Sequence, residues 1–119
     1  MFYYLNFTYS FLSASGTVNK LSYYTFAQFK KGAGWRPNTD FDNHTLYADL
    51  NYRLNSKSSL GFDVTHMNYL AQQPGGLTDD MFTVDPRQSN REPNWFKVNW
   101  NLYALHFDHK INSSNEINV

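Results

Sequence analysis

Hydrophobic and polar residues alternate with a period of two along most of this chain. The segment His44–Leu54 shows this most clearly, because every even-numbered residue from Leu46 onward is apolar and most odd-numbered ones are polar. An extended strand places alternate residues on opposite faces, whereas a helix would scatter these positions around its axis. The pattern therefore predicts a β-strand with one apolar face and one polar face.

Four further segments alternate in the same way and predict strands: Phe2 to about Phe11, about Leu21 to Lys30, Ser59 to about Leu70, and a long segment that begins at Asn94. Residues Glu116–Val119 resemble the start of a sixth strand. In the long segment the apolar residues change from even-numbered to odd-numbered positions near Ala104. Because the side chains of a strand alternate strictly, this change predicts a β-bulge or a bend there.

The connections between these segments alternate between short and long. Short turns are predicted at Gly16–Asn19, Asn55–Ser58 and Asn112–Asn115, and long loops at about Lys31–Asn43 and about Ala71–Pro93. Outer-membrane β-barrels have this rhythm, with tight turns at one end of the strands and extended loops at the other. Soluble β-sandwiches mix their connection lengths less regularly. We therefore predict an all-β fold, an antiparallel up-and-down meander of about five to six strands that belongs to a transmembrane β-barrel.

Five strands and part of a sixth are too few to close such a barrel. Single-chain outer-membrane barrels have at least about eight strands, because hydrocarbon does not tolerate unpaired backbone groups at an open edge. The membrane interpretation therefore requires that the chain is a piece of a longer barrel, or that several copies complete one another. A soluble antiparallel β module that binds carbohydrate or protein through its loop aromatics is the alternative from another functional class.

Composition and charge narrow the classes further. Nine Tyr, ten Phe and three Trp favour strands, and ten basic against ten acidic residues leave no electrostatic signature of a nucleic-acid partner. Cysteine is absent, which excludes a disulfide framework, a thiolate metal site and a cysteine nucleophile. No apolar run approaches the roughly 18 to 20 residues of a membrane helix, and the N-terminus has none of the features of a secretory signal peptide.

Several runs of residues are similar to the barrel of TonB-dependent outer-membrane receptors, in particular to the ferric-citrate transporter-like branch. The similarity extends from about Ser13 onward and is weaker in the first dozen residues. The runs that carry it are Gly34–Asn38, Tyr47–Tyr52, Leu60–Asp63, Gln73–Asp79, Asp85–Arg91 and Asn94–Asn101.

The resemblance implies a barrel of the 22-stranded type that encloses an N-terminal plug and is coupled to the TonB complex through a TonB box. Residues 1–119 would then be one partial barrel domain without plug, TonB box or signal peptide. Its parent would lie in the outer membrane of a Gram-negative bacterium and take up ferric siderophores or ferric-dicitrate-like chelates by binding, not by catalysis. The expected partners are the outer-membrane lipid, the rest of the barrel and plug, the ferric chelate and the TonB complex, with no cofactor.

Four polar residues in the long loops are candidates for contact with an anionic ferric chelate: Arg36, Arg87, Gln88 and Arg91. Guanidinium groups pair with carboxylates through two parallel hydrogen bonds, and loops above a rigid barrel are common binding sites. Each arginine also has a structural alternative. Arg87 would pair with Asp85 or Asp79 to hold its loop in shape, and Arg36 would be a solvated or loop-structuring arginine.

The remaining candidates for chemistry are weak. His106 and His109 are three residues apart in a predicted strand and so face opposite sides, and His44 and His66 lack neighbouring ligands at a fixed spacing, so no metal site is predicted. Asp79 and Asp80 have no partner base or nucleophile, so no enzymatic activity is predicted. The aromatic residues Trp95, Trp100 and Tyr103 belong either to an interfacial girdle or to ordinary sheet packing.

Overall fold

The computed structural model of the chain describes residues 6–119, which form one antiparallel sheet of six strands in sequential order. The strands are β1 Phe7–Val18, β2 Leu21–Gly32, β3 Phe41–Arg53, β4 Ser58–Gln72, β5 Trp95–Asn112 and β6 Asn115–Asn118. One short helix, α1 Asp79–Val84, lies between β4 and β5. The predicted all-β meander is confirmed, and so is the sixth strand.

The first hairpin differs from its prediction. Residues 2–5 of the first predicted strand lie outside the described residues, and β1 continues through Gly16 to Val18, so that only Asn19 and Lys20 separate β1 from β2. Asn19 has a φ of 54°, a conformation that Asn tolerates better than most residues. Gly16 was predicted to be part of the turn, but it lies in the strand, where a Cβ atom would stand 2.8 Å from the Tyr23 hydroxyl.

The two long connections are shorter or more ordered than the sequence analysis predicted. β3 begins at Phe41, so the β2–β3 loop spans only residues 33–40. The β4–β5 loop contains α1, which begins after its N-cap Thr78, whose side chain accepts a hydrogen bond from the Met81 backbone N–H at 3.3 Å. A helix of six residues is too short to show a helical period in the sequence, so its absence from the prediction is understandable.

The predicted interruption of the strand near Ala104 is wrong, because β5 runs without a break from Trp95 to Asn112. Lys110 donates its backbone N–H to the Lys57 carbonyl, and the side chains of His66 and Asn101 are hydrogen-bonded to each other. At the far end of the pair, Gln73 donates its backbone N–H to the Asn94 carbonyl, so residues 57–73 span as many positions as residues 94–110 and no net residue is inserted. What changes at this position is the polarity of each face of β5, while the alternation of its side chains continues.

The described residues divide into two compact units. The turn unit comprises Phe11–Ala27, Thr45–His66 and Trp100–Val119, and it contains the three short turns. The loop unit comprises the residues up to Ser10, Gln28–His44 and Met67–Asn99, and it contains both long loops and α1. The five long strands contribute residues to both units.

Neither unit has a hydrophobic core. Within residues 6–119 no hydrophobic side chain is buried, and the buried polar side chain is that of Ser58. A sheet in a soluble domain normally hides at least one apolar face against a second layer. No helix in this part of the chain is long and apolar enough to cross a membrane.

Candidate functional site

One face of the turn unit is covered by exposed apolar side chains from all five long strands, which we call the apolar band. Among its large exposed members, the solvent-exposed fraction of the residue ranges from 36% for Phe107 to 74% for Leu12. Several of them line a common hollow of about 450 Å³, and the others follow from the alternation of each strand. The members are Leu12, Ala14, Ala27, Leu46, Ala48, Leu50, Leu60, Phe62, Val64, Leu105 and Phe107.

Hydrogen-bonded polar pairs mark both ends of the apolar band on β4 and β5. At one end the Ser58 hydroxyl lies 2.8 Å from His109 Nδ1, and at the other His66 Nδ1 lies 2.6 Å from Asn101 Oδ1. At about 3.4 Å per residue, the stretch of β4 between these pairs is about 27 Å long. The apolar surface is therefore a band of limited height with polar margins.

The opposite face of the turn unit carries a polar network that consists of Tyr47, Asp49, Asn51, Asp63 and His106. Asp63 Oδ2 lies 2.6 Å from His106 Nε2, and Tyr47 of β3 lies near the same carboxylate. On β3, the Asn51 amide donates to Asp49 Oδ1 at 2.9 Å. The network thus joins three neighbouring strands through ionisable side chains directly behind the apolar band.

Gly61 of β4 makes room for this network. A Cβ atom at Gly61 would lie 2.9 Å from Asn51 Oδ1 and 3.4 Å from the Cβ atom of His106. Side chains from β3 and β5 therefore approach each other across the bare backbone of the strand between them. The sequence analysis did not identify this network, because its members come from three different strands and have in common only that each lies on the same face of the sheet.

The two long loops of the loop unit hold each other in place. Arg36 Nη2 donates to the carbonyl oxygens of Gly75 and Gln88, at 3.1 Å and 2.7 Å. In return, Arg87 Nε donates to the Trp35 carbonyl at 2.8 Å. Arg36, Arg87 and Gln88 thus belong to one loop–loop contact, which fits the structural alternative for Arg36. Their role in ligand binding stays a prediction.

Asn38 is a central residue of this contact that the sequence analysis missed. Its side-chain amide donates to the carbonyls of Gln73 and Arg91, both at 2.9 Å, and to that of Asn94 at 3.3 Å. Its φ of 59° places it in the left-handed region, in which Asn is enriched. The sequence analysis placed Asn38 in the run Gly34–Asn38, but nothing local indicated that its amide reaches both ends of another loop.

Arg87 and Arg91 each have a further local role. The backbone N–H of Arg87 donates to Asp85 Oδ1 at 2.9 Å, so Asp85 does contribute to the shape of the loop. The Arg91 side chain packs beside Gly75, where a Cβ atom would lie 2.9 Å from Arg91 Cγ. Gly75 also has a φ of 80°, which favours glycine. These contacts give the β4–β5 loop a defined shape without a hydrophobic core.

The four histidines have separate polar partners. His106 and His109 lie on opposite faces, as predicted, with Asp63 and Ser58 as their respective partners. His44 Nε2 lies 2.5 Å from Asp42 Oδ1. In the part of the chain that the structure describes, no group of three or more His, Cys, Asp or Glu side chains is arranged to hold a metal ion.

No protein-family model matches this chain, and neither the curated proteins nor the solved structures contain a match to it.

Proposed function

We propose that this chain is part of the wall of a large outer-membrane β-barrel, as a segment of a TonB-dependent receptor that takes up ferric siderophores or related ferric chelates. The observation that carries the proposal is the apolar band, whose members are exposed or half-buried on one face of the turn unit and which is backed by a polar network on the other. Barrels of this class present apolar side chains to lipid and polar side chains to their interior.

The exposed area of the apolar band supports a lipid environment. Soluble monomers rarely expose large continuous apolar patches. Each Å² of apolar surface that remains in water loses about 25 cal/mol of the free energy that burial would contribute. Here every member of the band stays unburied by the rest of the described chain. Contact with hydrocarbon removes this disadvantage without a second protein layer.

The height of the band is also consistent with an outer membrane. The stretch of about 27 Å along β4 would span about 21 Å of membrane if the strand were tilted by about 40°, whereas the apolar surface of outer-membrane barrels is about 25 Å tall. The pairs Ser58–His109 and His66–Asn101 at its margins would then lie near the two interfaces, where polar groups find water or lipid headgroups.

The polar network supports the assignment of the two faces. A charged side chain that faces lipid near the bilayer midplane destabilises a barrel by roughly 2–4 kcal/mol, whereas charges that face the interior are tolerated. Asp63 and His106 lie level with the middle of the apolar band but on the opposite face. We therefore assign the band to the lipid side and the network to the water-filled interior.

The residue runs of the two long loops and their flanking strands resemble TonB-dependent receptors. This resemblance is the reason for proposing a ferric chelate, a plug and the TonB complex as partners. Six strands leave two open edges, and the remaining strands of the parent receptor would pair with them. The loop–loop contact of Arg36 and Arg87 would form part of the receptor's outer surface. Ligand uptake would require no catalytic residue, because transport of this kind depends on binding.

Site-specific labelling tests the proposal, since the chain contains no native cysteine. An environment-sensitive fluorophore is attached to Leu46→Cys in the band or to Asp49→Cys in the network, both on β3, and the full chain is refolded into lipid vesicles. We expect a blue-shifted emission that brominated lipids quench at position 46 and a water-like emission at position 49.

The alternative, a soluble antiparallel β module, makes the opposite prediction. Both labels would then report water, and the chain would remain monomeric without detergent or lipid. That pair of results would exclude the barrel-wall function.

A further inference from the structure

A second surface, in the loop unit, combines aromatic rings with a cation. We call it the aromatic platform, and it consists of Phe7 and Tyr9 of β1, Gln28 and Lys30 of β2, and Phe41 of β3. The rings of Phe7 and Tyr9 are 6.5 Å apart between centroids and inclined by only 6°, so their faces point in the same direction. The Phe7 and Phe41 centroids are 6.1 Å apart.

Gly32 allows this contact between strands that are not neighbours. A Cβ atom at Gly32 would lie 3.0 Å from both Cε1 and Cζ of Phe41. The Phe41 ring therefore lies across the backbone of β2 and reaches Phe7 on β1. Because the rings of β1 and β3 meet across β2, the platform is a continuous surface instead of a single exposed side chain.

Lys30 supplies the charge of the platform. Its Nζ atom lies 5.6 Å from the centroid of the Tyr9 ring, and no residue within the described range forms an ion pair with it. The Gln28 amide donates to the Tyr9 hydroxyl at 3.2 Å, which steadies that ring. The next residue, Lys31, points to the opposite face, where it lines a hollow together with Asp40 and Asp42.

We propose that the aromatic platform binds a planar aromatic anion of the aryl carboxylate class. The exposed rings of Phe7 and Tyr9, at 58% and 49%, would stack against the aryl group, and the Lys30 ammonium would pair with the carboxylate. A neutral sugar fits less well, because it would leave Lys30 without a counter-charge while the Gln28 amide already has an acceptor. The proposal rests on the proposed function in one respect, since it names the chemistry of the anion that the receptor wall contacts.

The test measures binding of benzoate to the full chain in nonionic detergent micelles by ligand-observed NMR titration, with protein-free micelles as the blank. Benzyl alcohol supplies the ring without the charge, and cyclohexanecarboxylate supplies the charge without the ring. We expect benzoate to bind about tenfold more tightly than either reference, because it alone satisfies both interactions.

Two matched pairs of variants locate the site. Lys30→Gln is expected to lower the affinity for benzoate to that for benzyl alcohol, whereas Lys31→Gln on the opposite face leaves it unchanged. Phe41→Leu is expected to weaken benzoate binding several-fold, whereas Phe82→Leu, at a more exposed aromatic site on α1 outside the platform, does not. Circular dichroism confirms the strand content of each variant.

Equal effects of Lys30→Gln and Lys31→Gln, or equal binding of benzoate and cyclohexanecarboxylate, would overturn the inference. The label at position 46 is read on the same protein after refolding into lipid vesicles and reports on the proposed function independently. A lipid-exposed label without preferential binding of benzoate would refute only the binding site on the aromatic platform and leave the barrel-wall function standing. A water-exposed label together with preferential binding of benzoate would refute the barrel-wall function and support the aromatic platform as a binding site.

Discussion

The turn unit and the loop unit are made from the same five long strands, but they accommodate their polar and apolar side chains in different ways. The turn unit separates polarity between its faces, with the apolar band on one side and the polar network on the other. The loop unit instead connects its two loops through side-chain donors and backbone carbonyls, chiefly those of Arg36 and Asn38. The difference indicates that the turn unit depends on its surroundings, whereas the loops are stabilised by their own hydrogen bonds.

The largest expected effect comes from a charge placed in the apolar band. Phe62 lies midway between the two polar margins, so Phe62→Lys should lower the free energy of unfolding in lipid vesicles by about 2–4 kcal/mol. Denaturant titration of the vesicle-bound chain, followed by tryptophan fluorescence, measures this change. The matched control is Phe82→Lys on the exposed surface of α1, with an expected change within about 0.5 kcal/mol. Similar small changes at both positions would mean that the band does not face lipid.

An intermediate effect is expected from Asn38→Ala in the loop unit. The substitution removes a donor from three backbone carbonyls and places Ala at a φ of 59°. We expect the free energy of local opening to fall by about 2 kcal/mol, visible as faster amide hydrogen exchange in residues 73–94 and not in the turn unit. Asn38→Gly tolerates the backbone conformation and should show only the part of the loss that is due to the amide. Unchanged exchange in both variants would show that the loops do not need this contact.

The smallest effect is expected from Asp63→Asn in the polar network. The substitution removes the charge of a side chain that contacts both His106 and Tyr47. His106 is half exposed, and such pairs contribute little, so the free energy of unfolding should fall less than in Asn38→Ala. Asp80→Asn in α1 is the control for loss of a carboxylate. A loss as large as that of Phe62→Lys would argue that the network is packed against protein rather than water.

The parts of the fold that were predictable are those with a strong local pattern. The alternation from Leu46 to Leu54 was sufficient to place β3 and to assign its two faces. The interpretation of Ala104 was wrong because a change of polarity and a bulge produce the same sequence pattern, and only the register with β4 distinguishes them. Gly16 was predicted to be a turn residue. Its actual role, leaving room for the Tyr23 side chain, depends on the pairing of β1 with β2 and cannot be recognised from the local sequence.

The candidate sites were predictable only in part. Arg36 and Gln88 were singled out for their chemistry, and both lie in one loop–loop contact, yet their partners are backbone carbonyls distant in the chain. Backbone acceptors are present at every residue, so sequence carries no signal for which one a guanidinium group will meet. The aromatic platform was missed for a related reason, since Phe41 reaches Phe7 only across Gly32.

The sequence alone determined that this chain forms strands with alternating faces, because side-chain direction in an extended chain follows from the period of two and needs no distant contact. It also determined the order of short and long connections. The tertiary structure decided the register of β5 on β4, the joining of Asp63 to His106 and the mutual anchoring of the two loops. Each of these is a contact between residues far apart in the chain, and the geometry of strand pairing brings them together.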